Sequence, residues 1–503
     1  MSNIWNILDL VLAAVAAYLL TQVVRNNRQR LPLPPGPKGL PFIGNVLDMP
    51  KEKESEKFTE WRHLYGDILS LKLFGQTMII LNSPKVAMEM LERKSSIYSD
   101  RPRMEFGGEM VGWNQTLVLT PYGERFRSYR RFVHQLIGGR QQIKRFHSLM
   151  EAESRKFLKR ILHTPEQVQA HIRHTAGSLI IKMAYGYEVQ EGNDAIVDLV
   201  ELAVDQFSAL SRPGAFLVDI MPFLRYVPSW FPGASFKKAA ESFKKTLNDM
   251  VDVPFNFVKA RMADRTNIPN YTSDLLEKQN LEGDKEYIIK WSAASLYGGG
   301  ADTTVSANYS FFLAMTLYPE AQRKAQEEID RVVGTDRLPV FADRENLPYV
   351  EALVQEVFRW NPVVPIGVPH RVLEDDIHAG YFIPKGSIIV PNIAGFFHDP
   401  EVYEDPHSFI PERFVPADGK NMPPDPRDYC FGFGRRICPG LHFADASVWN
   451  TCATTLAAFN ITKAVENGKV IEPLVEYTVG TISHPKPFRC AIKLRSAKAE
   501  ALI

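Results

Sequence analysis

Cysteine is scarce in this chain: four residues in 503, Cys430, Cys438, Cys452 and Cys490, all in the last quarter. None of their spacings is that of a zinc finger, and so few thiols cannot staple a chain of this length. Neither a disulfide framework nor a zinc cluster is therefore suggested. Charge of one sign is lacking as well. Lys and Arg number 59 against 58 Asp and Glu, a formal net charge of +1 with no long run of either sign. That balance argues against nucleic acid as the main partner. Internal repeats and low-complexity blocks are also missing, and 45% hydrophobic with 23% charged residues is the composition of a folded globular body.

Long apolar runs are absent but for one, over residues 4–24. As a helix it is long enough to cross a bilayer core of roughly 30 Å. No Lys or Arg precedes it, whereas Arg25, Arg28 and Arg30 follow. The positive-inside rule then leaves everything after Arg25 in the cytosol. A cleaved signal peptide fits worse, since there is no basic leading segment and the Ala14-Val15-Ala16 triplet lies inside the run. The expectation is a membrane anchor with its basic flank over 1–30, a proline-rich hinge over 31–40, and one globular domain over 41–503. Pro32-Leu33-Pro34-Pro35-Gly36-Pro37 is stiff and extended, which suits a hinge of fixed angle. The sequons at Asn114 and Asn308 would face the cytosol and stay unmodified.

Residues 68–82 alternate around Gly75-Gln76 and read as a hairpin. Three-and-four spacing predicts helices over 84–94, 123–136, 141–162, 198–211, 236–263, 285–317, 319–333, 349–359 and 440–459. A second hairpin is expected over 381–391, turning at Pro384-Lys385-Gly386, and 470–496 reads as extended. The fold class is mainly α with a small β region, α+β rather than a doubly wound sheet.

The segment Phe431-Gly432-Phe433-Gly434-Arg435-Arg436-Ile437-Cys438-Pro439-Gly440 reads as a loop built to hold one thiolate against a metal. Gly432, Gly434 and Gly440 permit tight turns and close approach to a flat partner. Backbone N–H groups, with Arg435 and Arg436 nearby, would keep the thiol ionised, and Phe431 and Phe433 supply apolar walls. A second unusual stretch is Gly298-Gly299-Gly300-Ala301-Asp302-Thr303-Thr304, inside an apolar helical pattern. Glycine in a helix interior costs about 1 kcal/mol relative to alanine, so this helix is expected to admit something flat or to widen locally.

The cysteine loop, F-x-x-G-x-R-x-C-x-G, resembles the haem-ligand loop of the cytochrome P450 superfamily. Four further segments fit that resemblance in order: Tyr122–Arg131, Gly299–Thr303, Glu356-Val357-Phe358-Arg359 with Pro411-Glu412-Arg413-Phe414, and the proline-rich approach to His370-Arg371. It covers nearly the whole chain and is closest in style to fungal microsomal (class II) enzymes of secondary metabolism, of the O-methylsterigmatocystin oxidoreductase-like group. It implies a P450 fold with an N-terminal single-pass helix in the endoplasmic reticulum membrane. The cofactor implied is haem b, with Cys438 as the axial iron ligand. Arg436, Arg130 and Arg371 would face the propionates, and Phe431, Gly432, Gly434, Gly440 and Gly299 would lie against the haem. Asp302 and Thr303 would supply protons to bound oxygen, while Glu356, Arg359 and Arg413 would form a bracing cluster. Phe126 stands where the family usually has tryptophan, which removes an indole N–H donor. Arg125, Arg127 and Arg131 read either as a reductase-docking face or as a plain solvated helix face.

The activity implied is insertion of one atom of O2 into a lipophilic molecule. No flavin or nicotinamide fingerprint occurs, so electrons would come from NADPH through NADPH–cytochrome P450 reductase, with cytochrome b5 as an optional second donor. Candidate pocket residues are Phe106, Trp113, Phe207, Ile366, Val368 and Ile482, flanked by Met104, Met110, Phe216 and Val364. They suit a terpenoid, polyketide, indole or other aromatic guest. Two alternatives from the same haem are isomerisation, dehydration or C–C cleavage, and ligand binding without catalysis. The Asp302-Thr303 pair speaks against discarding oxygen activation.

Overall fold

The computed structural model describes residues 31–503, except 193, 212–213, 279–282, 417–418 and 420. The anchor expected over 4–24 lies outside the described residues. Among the described residues, no helix is long and apolar enough to cross a membrane.

The body is mainly helical. Six helices position the site: α1 (Glu124–Ile137), α2 (Val168–Tyr185), α3 (Ala195–Leu210), α4 (Lys285–Leu317), α5 (Pro348–Trp360) and α6 (Leu441–Ala458). With 33 residues, α4 runs about 50 Å at 1.5 Å per residue. It is buried along most of its length, as a helix apolar on all sides must be. Its first half enters an apolar cluster with Phe106, Trp113, Phe207 and Ile482. Its second half, from Val305, enters another with Trp449 and Leu456 of α6. The three glycines fall at the seam. A Cβ at Gly300 would strike Ile180 of α2 at 2.7 Å, whereas one at Gly298 or Gly299 would meet nothing within 4 Å. The helix stays α throughout, so the local widening expected at the glycines does not occur.

Helix α2 escaped the periodicity reading because its second half has no polar face: twelve of its 18 residues are buried, and Thr175–Ile181 are buried without a break. Helices Glu54–Tyr65 and Tyr271–Lys278 also went unpredicted. The stretch expected as one helix over 141–162 breaks at the 3-10 turn Lys144–Phe146 before His147–His163.

The expected hairpin is β1 (Ile68–Leu73) and β2 (Gln76–Leu81), antiparallel, with Leu73 opposite Gln76. Four more strands follow: β3 (His370–Arg371), β4 (Asp376–His378), β5 (Tyr381–Ile383) and β6 (Ile388–Pro391). The second hairpin is not the one expected. β5 turns back on β4 through Ala379-Gly380, and β6 joins the first sheet, parallel to β2 and antiparallel to β3. Alternation over 381–391 cannot distinguish these pairings, since both bury the same faces. Late in the chain β7 (Phe459–Lys463) pairs with β8 (Cys490–Leu494). The proline-rich stretch is docked rather than free: Ser70 N–H donates to the Pro35 carbonyl and Phe382 N–H to that of Pro32, both at 2.8 Å.

Candidate active site

Cys438 stands just before α6, on a loop whose shape follows from its glycines. Gly434 has φ +55°, and a Cβ there would strike the Leu91 carbonyl oxygen at 2.4 Å, so no other residue fits. Gly432 is also left-handed, with φ +79°. The loop closes where Cys438 N–H donates to the Phe431 carbonyl at 2.7 Å. Phe431 packs edge-on against Phe358 of α5 (centroids 5.4 Å apart), and Phe433 is buried beneath the strands. A Cβ at Gly440 would touch the Cys438 sulfur at 3.8 Å, so glycine leaves that flank of the thiol bare.

Burial pushes the Cys438 thiol up, and three groups oppose it: the Gly440 N–H, the Arg130 guanidinium and the Leu441 N–H. The expected backbone donors are present, but the compensating cation is Arg130, from α1, rather than Arg435 or Arg436. Arg435 is exposed and binds the Tyr122 hydroxyl. Arg130 donates to the Ile437 carbonyl at 2.6 Å, next to the cysteine.

Arg436 is buried and donates to the carbonyls of Ser99 and Thr120, each at 2.7 Å. Its guanidinium lies 3.8 Å from the Phe126 ring centroid, so the phenylalanine in the tryptophan position faces a cation. Burial brings the Arg436 pKa down to about 10. Arg101, unnoticed in the sequence, is the third member. It is buried and donates to the carbonyls of Val118 (2.9 Å), Val368 (2.7 Å) and Pro369 (2.8 Å). Burial, and then Arg436, holds its pKa well below the usual range. His370 lies within this group, buried, with Nδ1 2.6 Å from the Tyr98 carbonyl. Arg371, by contrast, is taken by Asp100 through Nε at 2.8 Å and Nη2 at 2.5 Å.

Among the described residues, no carboxylate is in ion-pair contact with Arg101, Arg130 or Arg436; their hydrogen bonds go to carbonyls, and Arg436 also faces the Phe126 ring. Uncompensated buried cations are costly. Buried Arg101 and Arg436, with half-buried Arg130 beside Cys438, fit a flat ligand that brings its own carboxylates, as haem does. A cavity of about 300 Å3 opens beside this group, lined in part by Arg101, Met104, Leu119 and Arg371.

On the other side, Thr303 Oγ donates to the Gly299 carbonyl one turn back, at 2.8 Å. Asp302 is held by His484, Oδ2 to Nε2 at 3.0 Å, a contact between residues 182 apart in the chain. Of the candidate pocket residues, Phe106, Trp113, Phe207 and Ile482 share one buried cluster. Phe106 stacks on Phe216 and Trp113 tilts against Phe207, with centroids 3.4 and 4.6 Å apart. Ile366 is elsewhere, packed with Leu69, Leu71 and Val390 under the sheet. The Val368 contact that stands out is its carbonyl, which accepts from Arg101.

Glu356 and Arg359 of α5 are both fully buried and form a two-pronged pair, Nε to Oε2 and Nη2 to Oε1, each at 2.7 Å. Arg413 Nε lies 3.5 Å from the same carboxylate. Arg359 also donates to the carbonyls of Phe397, Pro406 and Ser408, so the pair ties α5 to the chain that leads toward the cysteine loop.

The sequence profile of the family described as Cytochrome P450 matches residues 34–490. This chain belongs to the cytochrome P450 family. It is 54% identical over 504 residues to cytochrome P450 monooxygenase 208 of Postia placenta, covering 100% of this chain and 98% of that one. Identity is 48% to cytochrome P450 monooxygenase claR of Ampulloclitocybe clavipes, over 100% and 93% of the two chains. It is 43% to cytochrome P450 monooxygenase ppsD of Aspergillus oryzae, over 99% and 95%. The protein is a cytochrome P450 monooxygenase, a haem-thiolate enzyme that uses O2 with electrons from a redox partner.

Proposed function

We propose that Cys438 is the thiolate ligand of the haem iron, with Arg101, Arg130 and Arg436 holding the propionates. The observation that carries this is a set of guanidiniums without an ion-paired carboxylate at the cysteine loop: buried Arg436 within it, half-buried Arg130 on its Ile437 carbonyl, and buried Arg101 near Arg436. When bound, the haem supplies oxygen activation and transfer of one oxygen atom to the substrate; the protein supplies pose, protons and dryness. The Gly440 and Leu441 N–H groups steady the negative sulfur. Gly298 and Gly299, with no neighbour within 4 Å of a Cβ, leave the face of α4 open to a flat ring. Asp302 and Thr303 deliver protons. Glu356, Arg359 and Arg413 brace the loop from below.

The substrate is lipophilic and of secondary metabolism, a terpenoid, polyketide or indole-like aromatic received between Phe106, Trp113, Phe207 and Ile482. The protein is anchored in the endoplasmic reticulum membrane by residues 4–24, with 31–40 leading into a cytosol-facing domain over 41–503. It takes electrons from NADPH–cytochrome P450 reductase, with cytochrome b5 as an optional donor. Support for a reductase face comes from Arg127 and Arg131, exposed on α1; Arg125 is instead engaged by Gln115 at 2.7 Å.

The test uses membranes co-expressing this chain and a cognate reductase, given NADPH and a lipophilic extract of the source organism. Mass spectrometry should find a metabolite heavier by one oxygen atom, absent with Cys438→Ser. The same product from the Cys438→Ser protein would overturn the ligand assignment.

A further inference from the structure

Asp302 is placed by a residue from the far end of the chain. Its Oδ2 meets His484 Nε2 at 3.0 Å, while Nδ1 of the same ring is buried without a partner among the described residues. A carboxylate opposite Nε2 puts the ring proton there, so His484 donates. No hydrogen bond joins Asp302 to Thr303 among the described residues; the Thr303 hydroxyl is turned back onto Gly299.

The segment that carries His484 is a closed loop. Tyr477 bridges Pro485, Thr478 N–H donates to the His484 carbonyl at 2.8 Å, and His484 N–H donates to Thr478 Oγ at 3.0 Å. It is fastened to α4 twice on one face: by His484 to Asp302, and by the Ser306 hydroxyl to the Ser483 carbonyl one turn further on. It also reaches the residue that ends α3, where Thr481 Oγ donates to Ser211 Oγ at 2.7 Å. Between these fasteners sits Ile482, in the same buried cluster as Phe106, Trp113 and Phe207. Asp302 meanwhile lines a crevice with Arg173 of α2 and with Glu201 and Asp205 of α3. The carboxylate therefore has two sides, a loop that touches the pocket and a charged crevice.

We propose that His484 is a positioning residue that latches the Asp302 carboxylate to the 477–485 loop, so that a guest seated against Ile482 and the acid that feeds protons are coupled through one loop. This rests on the reading of Asp302 given under Proposed function. A guest that moves Ile482 moves His484, and Asp302 then trades a fixed partner for freedom to turn. Coupling of oxygen use to occupancy follows from this, with no contact between guest and carboxylate.

The test uses the full-length haem-loaded protein in two measurements. By hydrogen exchange with mass spectrometry, His484→Phe and Asp302→Ala should each speed exchange of the 477–486 peptide about tenfold, as loss of a charge-assisted bond would. The double variant should exchange no faster than the faster single. His484→Gln keeps an N–H donor within reach and should recover most of the protection. By infrared spectroscopy of the ferrous CO complex, His484→Phe should show a new C–O stretching band from the freed carboxylate, lost again in the double variant with Asp302→Ala. Unchanged exchange, additive exchange, or a new band that persists without Asp302 would overturn the latch. Asp302→Asn separates the two readings. If it leaves NADPH use coupled to product, the proton-supply role falls and the two measurements still decide the latch. If it uncouples while His484→Phe matches the wild type in both, only the latch falls.

Discussion

Glu356→Gln replaces one carboxylate oxygen with an amide nitrogen inside a fully buried ion pair. Oε1 accepts from Arg359 Nη2 at 2.7 Å and from Ile410 N–H at 2.8 Å, while Oε2 accepts from Arg359 Nε at 2.7 Å. Whichever way the amide turns, its NH2 group faces at least one N–H donor, and Arg359 keeps its charge with no anion opposite. Breaking a buried pair from one side costs about 3–5 kcal/mol, against a total stability of about 5–15 kcal/mol for a folded domain. The loss should travel, because Arg359 also anchors the Phe397, Pro406 and Ser408 carbonyls and its neighbour Phe358 packs on Phe431. The assay is urea titration of the thiolate-type reduced-CO spectrum, which reports the cysteine loop directly. The midpoint should fall sharply in Glu356→Gln. The control is Glu327→Gln, whose partner Arg323 is on the surface and where a change under about 1 kcal/mol is expected. A Glu356→Gln protein as resistant as the control would refute the reasoning.

Phe126→Ala removes the ring facing the buried Arg436 guanidinium; loss of a desolvated cation–π contact of about 2 kcal/mol plus a cavity should raise the rate of haem transfer to apomyoglobin. Phe126→Trp should match or slow the wild-type rate. Asp302→Asn and Thr303→Ala should keep haem but divert NADPH electrons to peroxide, read as product formed per NADPH consumed. For Asp194, burial alone would raise the carboxyl, but N–H groups of Gln190, Ile196 and Val197 and the Tyr187 hydroxyl outweigh it and depress the pKa below 3.8. The folded value lies under the unfolded one, so its stabilisation is present above about pH 3.8 and is lost as pH falls through the depressed value. Asp194→Ala, which also removes the cap of α3, should lower stability at pH 7 by about 1–2 kcal/mol, and thermal melts should show the difference shrinking toward pH 3.

Features that depend on neighbours in the chain are legible in the sequence alone. The cysteine loop is one: Gly432 and Gly434 take left-handed backbone that favours glycine, and the donors to the sulfur are Gly440 and Leu441, at the start of the helix that follows. The amphipathic helices and the first hairpin are others, since their periodicity is local. The resemblance was needed to bring Glu356, Arg359 and Arg413 together. Helix α2 was not legible, because the continuous buried run Thr175–Ile181 carries no stripe.

What the sequence by itself determined is the chemistry available: one thiol in a turning loop, an acid and an alcohol on a glycine-bearing helix, and a surplus of arginine around them. Tertiary structure alone decided which of these groups meet. The resemblance gave Arg371 and Arg436 the same role, yet Asp100 pairs with Arg371, while Arg101 ends on carbonyls of residues 17 to 268 positions away. Strand β6 chose β2 over β5, and Asp302 found His484. Each choice depends on through-space distance between segments far apart in the chain. Coulomb attraction and hydrogen bonding act over a few ångströms, and only the packed fold sets those distances.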